Sequence, residues 1–284
     1  MAGMKRPGLI ALLAVVLALP AAVMAAPRTD PGSQIVGGVV VRDPGAYPFM
    51  AAVDYLPDDS PYYCGGTLIS PRHVLTAAHC VIEFTYLGPV LLPASSFGVA
   101  LGHLDRENIP RRDWLKVTRV IPNPAFDPYN FSLGYDAALL ELAAPVKGVP
   151  VVALPEPGVR TIGRTGEPVM AVGWGARYTY GPDSAELRES RLSVDKAKVC
   201  RERSREYLET PYISSLLVCA SAPGRSTCQG DSGGPLLGKQ GGRWVQLGIT
   251  SGAVGCALTG WPPFFTRVSN PDINDWIRET AGIP

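Results

Sequence analysis

Gly230-Asp231-Ser232-Gly233-Gly234-Pro235 sets one hydroxyl among glycines that leave the backbone bare around it. A serine hydroxyl is a weak nucleophile at neutral pH. It needs a base to take its proton and fixed donors for the oxyanion it creates. Without a Cβ, Gly230 can hold its N–H beside that of Ser232 in a conformation most residues resist. An ordinary glycine-rich turn with a surface serine has the same local look, so partners elsewhere in the chain must decide between the two.

Those partners are present. Thr76-Ala77-Ala78-His79-Cys80 puts a histidine among small residues, and Tyr135-Asp136-Ala137-Ala138-Leu139-Leu140-Glu141-Leu142 puts one acid at the head of an apolar run. Of the three histidines, His73 follows Arg72 in a polar turn and His103 lies in a charged stretch, which leaves His79 as the base. The order His, Asp, Ser excludes an α/β-hydrolase esterase or lipase, which needs a strand-Ser-helix context and the order Ser, Asp, His. Short alternating or β-branched runs at 49–53, 115–121, 168–172 and 244–249 read as strands, and Gly, Pro and Asp turns separate them. Such punctuation with little helical periodicity predicts an all-β fold of antiparallel barrels. At the end of the chain, Asn270 before Pro271–Ile277 predicts a capped, amphipathic closing helix.

Ile35-Val36-Gly37-Gly38, Cys64-Gly65-Gly66-Thr67-Leu68-Ile69-Ser70, the His79, Asp136 and Ser232 segments and Gly173-Trp174-Gly175 together resemble the chymotrypsin-like serine proteases, from Ile35 to the C-terminus. The resemblance implies two antiparallel six-stranded β-barrels and a C-terminal helix. The first barrel would span about 35–148, the second about 149–284, and the cleft between them would hold the site. By resemblance Ser232 attacks, His79 shuttles the proton, Asp136 orients the imidazole, and the amides of Gly230 and Ser232 form the oxyanion hole. Ser251 matches the serine beside the triad acid at the head of the substrate-pairing strand. The protein is thereby expected to be a serine endopeptidase, a monomer acting on proteins or peptides. A catalytically inactive binding module on the same fold is the competing class, and no triad residue or oxyanion glycine is missing to favour it.

The balance of 26 Lys and Arg against 25 Asp and Glu gives no case for nucleic acid or an anionic membrane as partner. Residues 1–25 carry Lys5 and Arg6, an apolar run from Leu9 to Leu19 and then small residues, the pattern of a signal peptide. The chain is therefore expected to be secreted, extracellular or periplasmic, with no membrane span after signal removal. Its six cysteines should then be oxidised, and arithmetic leaves their pairing open. The resemblance implies Cys64 with Cys80, Cys200 with Cys219, and Cys228 with Cys256. No paired C-x-x-C or histidine cluster suggests a metal, and no cofactor is expected.

Asp231 beside the nucleophile needs a positive partner in a packed turn, because an unpaired buried charge is costly. Cleavage after Gln34 would free the α-amino group of Ile35 to supply one. This implies a zymogen with a propeptide at 26–34. Relatives mostly carry Arg or Lys before Ile-Val-Gly-Gly, so Gln34 points to an activating protease of another specificity or to self-processing. Ser226, six residues before the nucleophile, falls at the floor of the primary pocket, where cleavage after Lys or Arg would need an acid. With Thr227 beside the floor and Ala253 and Pro263 on the walls, the pocket is expected to be shallow and elastase-like, taking small apolar residues. Cleavage after larger apolar residues, as by chymotrypsin, is the alternative. Gly252 stands where relatives commonly place Trp. Residues 81–100 form an insertion read as a loop over the histidine side of the cleft. No calcium loop is expected, with His103 and Pro110 at carboxylate positions and Asp113 alone remaining. Asn130-Phe131-Ser132 is a glycosylation sequon.

Overall fold

The computed structural model describes residues 35–56, 63–130, 133–207 and 212–284. The signal-peptide and propeptide readings at 1–34, and Phe131 and Ser132 of the sequon, lie outside the described residues. Six strands close the first barrel: β2 (Met50–Tyr55), β3 (Tyr63–Ser70), β4 (His73–Thr76), β7 (Phe97–Leu101), β8 (Leu115–Pro122) and β9 (Ala138–Leu142), in the order β2-β3-β4-β9-β8-β7. The second barrel comprises β10 (Pro168–Gly173), β11 (Arg188–Val194), β12 (Leu217–Ser221), β13 (Pro235–Gln240), β14 (Arg243–Gly252) and β15 (Phe264–Arg267). Its order is β11-β10-β13-β14-β15-β12, and pairing of β11 with β12 closes it. The strand pairings within both barrels are antiparallel, and several, such as β13–β14, are joined by short hairpin turns.

Alternation decides which side chains fill each barrel. In β11 every second residue is buried, so Leu192 and Val194 join Val169, Ala171, Leu236, Val245, Leu247 and Phe265 inside the second barrel. β3 departs from this rule, being buried along its whole length. One face of it fills the first barrel while the other backs onto the second, where the Thr67 hydroxyl meets Gln246 Oε1 at 2.5 Å. The seam between the barrels is thus covered from both sides.

Three elements differ from the sequence expectation. Val39–Val40 (β1), expected with the first barrel, pairs with β11 of the second. Ala197–Tyr207 forms a helix (α1) that its sequence does not signal, since its strongly polar composition offers little apolar face. The 81–100 insertion is largely regular structure: Ile82–Thr85 (β5) and Gly88–Leu91 (β6) form a hairpin, and β7 begins at Phe97. The closing helix, Pro271–Ala281 (α2), starts as read, with the Asn270 side chain accepting the Ile273 N–H and a left-handed Gly282 at its end.

Candidate active site

His79 lies in a single helical turn, Ala78–Val81, after β4, and Asp136 sits two residues before β9. These neighbouring strands bring the two together across 57 residues of chain. Asp136 is fully buried. Its Oδ1 accepts the His79 backbone N–H at 2.9 Å, and its Oδ2 faces His79 Nδ1 at 2.7 Å and accepts the Ser251 hydroxyl at 2.5 Å. A carboxylate opposite Nδ1 keeps the proton there and leaves the Nε2 lone pair as a base. Burial opposes charging of the ring, but the charge and hydrogen bond of Asp136 outweigh it and hold the imidazole above its ordinary 6.5.

Ser251 reaches Asp136 because the strand is irregular. The β14–β15 register shifts between Thr250 and Gly252, a bulge with Ser251 at its centre. Bulges redirect a side chain in this way. The Ser232 turn depends on glycine at two positions. Gly230 has φ 86° and Gly233 φ 75°, and a Cβ on Gly233 would sit 2.2 Å from Thr76 Oγ1. Ser232 is half-buried, and its carbonyl accepts the Gly65 N–H at 2.7 Å. Gly65 follows Cys64, which is bridged to Cys80 beside His79, so one disulfide and one hydrogen bond tie serine turn to histidine turn. Among the described residues no protein acceptor takes the N–H of Gly230 or Ser232. Two free donors on one turn suit an incoming oxyanion.

Asp231 is buried with the opposite outlook. Its two oxygens accept the N–H groups of Gly175 at 2.8 Å and Cys228 at 2.9 Å. Burial nevertheless pushes its carboxyl up to about 7, against those two donors and with help from the charge of Asp183. Ile35 is fully buried at φ 42°, a left-handed conformation in which a β-branched residue is strained. Its neighbour Val36 accepts the Ser226 N–H at 3.2 Å, so the Ile35 segment lies against the Ser226 segment.

Ser226 is fully buried, and its hydroxyl donates to the Thr227 carbonyl at 2.7 Å. Thr227 and Pro263 are buried, Gly252 half-buried and Ala253 exposed. The bridges Cys64–Cys80, Cys200–Cys219 and Cys228–Cys256 are all present. Cys64, His79 and Cys80 bring three potential ligand atoms together, but the two sulfurs are joined and offer no thiolate to a metal. His73 opens β4 with Nδ1 2.9 Å from the Ser70 hydroxyl, and His103 faces Asp113 at 3.4 Å. At the insertion, Phe84 packs edge-on against Tyr129 with centroids 5.8 Å apart, and the hairpin tip, Tyr86 and Leu87, is fully exposed. No helix among the described residues is long and apolar enough to cross a membrane.

A residue cluster the sequence reading missed flanks Gly230. The Tyr63 hydroxyl donates to the Trp174 carbonyl at 3.0 Å, the Arg106 guanidinium lies 3.3 Å from the Tyr63 ring centre, and Asp183 shares a hydrogen bond with Tyr63. No local motif could have announced it, because the three residues come from separate loops and strands.

Two antiparallel barrels bearing a histidine paired to a buried aspartate and a glycine-framed serine define a serine endopeptidase. The family model described as Trypsin matches residues 35–277, and the chain belongs to that family. It is 34% identical over 251 residues to rat "Chymotrypsin-like elastase family member 1", covering 86% of this chain and 88% of that one. It is 33% identical over 275 residues to "Phenoloxidase-activating factor 3" of Holotrichia diomphalia, covering 90% and 76%. Human "Serine protease 56" is 34% identical over 257 residues, which is 87% of this chain and 38% of that one.

Proposed function

We propose that the protein is a secreted zymogen of an endopeptidase cleaving after small apolar residues. Ser232 Oγ attacks the scissile carbonyl as His79 Nε2 takes its proton. The tetrahedral oxyanion accepts the N–H groups of Gly230 and Ser232, and Asp136 stabilises the imidazolium. His79 then protonates the leaving amine, the acyl-enzyme forms, and a water deprotonated by His79 releases the acid. The three donors converging on Asp136 support these roles.

The buried Ser226 carries the specificity reading. It stands at the pocket floor with no carboxylate, and its hydroxyl is already donated to Thr227. A Lys or Arg side chain there would be a buried, unpaired cation. Pro263 lines a wall and Thr227 narrows the floor, and the rat relative carries an elastase name. Exposure of Ala253 favours a second reading, in which that wall stands aside and larger apolar residues fit. Because one methylene is worth only ~1–3 kcal/mol in such a pocket, the preference should be graded rather than absolute. Cleavage-site profiling on a peptide library tests both: Ala and Val ahead of Leu and Phe supports the small pocket, Phe foremost supports the second reading, and Arg or Lys foremost overturns both.

Activation follows from the pair Ile35 and Asp231. A cut after Gln34 would convert the strained Ile35 amide into an ammonium able to neutralise Asp231 and order the Gly230–Ser232 turn. Sequencing the N-terminus of active enzyme tests this, and any start other than Ile35 overturns it. Gln34 excludes a trypsin-like cut at that bond, so the activator has another specificity or the enzyme processes itself.

A further inference from the structure

The leaving half of a substrate must pass over the wall that contains Tyr63. The departing amine takes its proton from His79, and the carbonyl oxygen points at Gly230. Tyr63 adjoins Cys64, which is bridged to Cys80 beside His79, and its hydroxyl would lie 2.5 Å from a Cβ on Gly230. Tyr63 is therefore tied through its neighbour to the histidine turn and lies directly against Gly230.

A charge sits on this wall. Asp183 Oδ1 would lie 3.1 Å from a Cβ on Gly230, and Asp183 is solvent-exposed. The Arg106 guanidinium is shared: it stacks on Tyr63, its Nη1 meets Asp54 Oδ1 at 3.3 Å, and its charge also acts on Asp183. Around Tyr63 two carboxylates thus share one guanidinium, and of the two Asp183 is the more exposed. Two loops hold it in place. The Arg106 N–H donates to the Ala185 carbonyl at 2.8 Å, and the Leu187 N–H to the Leu104 carbonyl at 2.6 Å, so the strip from Leu104 to Arg106 is stitched to the strip after Asp183. The field of Asp183 reaches the serine turn, since its charge is among the influences that hold the buried Asp231 carboxyl high.

An anion beside Gly230 opposes the oxyanion that forms there, because like charges repel strongly in a partly desolvated cleft. A cation brought by the substrate would offset it where it matters for rate. We propose that Asp183 makes this enzyme select Lys or Arg at the first or second position after the scissile bond, pairing with that side chain as the oxyanion develops. The proposal rests on the reading of Ser232 as nucleophile and Gly230 as oxyanion donor.

The test uses full chain processed to the active form, with active sites counted by a serine-directed phosphonate. Internally quenched peptides share one acyl side and carry Ala, Lys or Glu at the two positions after the cleaved bond. Wild type is expected to prefer Lys over Ala about tenfold in kcat/KM, which is about 1.4 kcal/mol, with the ratio shrinking toward one in ~1 M salt. Asp183→Asn should bring the ratio near one while raising the rate on the Ala peptide, and Asp183→Lys should turn the preference to Glu. Equal rates on Lys and Ala in wild type, or a Lys preference that survives Asp183→Asn, overturns the proposal with the protease reading intact. Protein that never titrates with the phosphonate overturns the protease reading and the proposal with it.

Discussion

Asp136 in the first barrel and Asp231 in the second are both buried carboxylates within the same cleft, yet their surroundings are unequal. Asp136 meets a backbone N–H, an imidazole that can carry charge and a serine hydroxyl. Asp231 meets two backbone N–H groups and no cation, and burial lifts it to about 7. Dipoles alone do not replace the solvation a buried carboxylate loses. The first carboxylate already faces a group that can carry positive charge, whereas the second has only dipoles, and the proposed cut before Ile35 would supply it with a cation.

The strongest way to break this comparison is to neutralise each acid in turn. Asp136→Asn should lower kcat by about 10⁴ in processed enzyme, since an amide can no longer hold the proton on His79 Nδ1 and favour the imidazolium. Asp231→Asn should cost about 10²–10³ in kcat/KM, through a loosened oxyanion turn rather than a lost base. Steady-state kinetics on processed protein separates them. If Asp231→Asn leaves activity untouched, the activation role assigned to Asp231 fails.

Unprocessed chain sharpens the contrast through pH. A carboxyl whose folded pKa lies near 7, above its ordinary 3.8, favours the folded state in its protonated form. Its contribution is therefore intact below about pH 4 and is lost as pH rises to about 7, a swing of about 4 kcal/mol at 1.36 kcal/mol per unit. Denaturant titrations of the unprocessed parent and its Asp231→Asn variant at pH 5 and pH 8 isolate this term. The parent should lose stability relative to the variant at pH 8, and processed protein should not. A parent-to-variant difference that ignores pH would mean Asp231 already has a cation.

Much of this was legible in short stretches. His79, Asp136 and Ser232 each stand in a short motif that can be read locally, and β11 alternates as a half-buried strand should, while β3, buried on both faces, does not. What stayed hidden depends on contacts between remote segments. Tyr63, Arg106 and Asp183 look like ordinary strand and loop residues until two loops are stitched together around Gly230. The β5–β6 hairpin escaped because its turn, Tyr86-Leu87, lacks the Gly, Asn or Asp that marks a tight turn in sequence. Helix α1 escaped because its face contributes Cys200 to the core and little else, so that a disulfide to β12 anchors it more than an apolar stripe does.

The smallest expected effect probes how complete the Asp136 region is. Ser251 and His79 share Asp136 Oδ2, so the serine hydroxyl draws off part of the charge that would otherwise favour the imidazolium. Ser251→Ala removes a charge-assisted hydrogen bond, worth about 1.5–3 kcal/mol to the carboxylate it serves. Asp136 should respond by holding the protonated His79 more strongly, moving an imidazole that already lies above 6.5 further upward. The free ring is the base, so the acid limb of kcat/KM should shift to higher pH, and the rate should fall about tenfold as the carboxylate loses one of its three positioning contacts. A profile measured between pH 5 and pH 9 reads both effects at once. A rate loss without a shift would make Ser251 a packing residue only, and a shift to lower pH would mean that the hydroxyl strengthens the Asp136–His79 pair instead of competing with it.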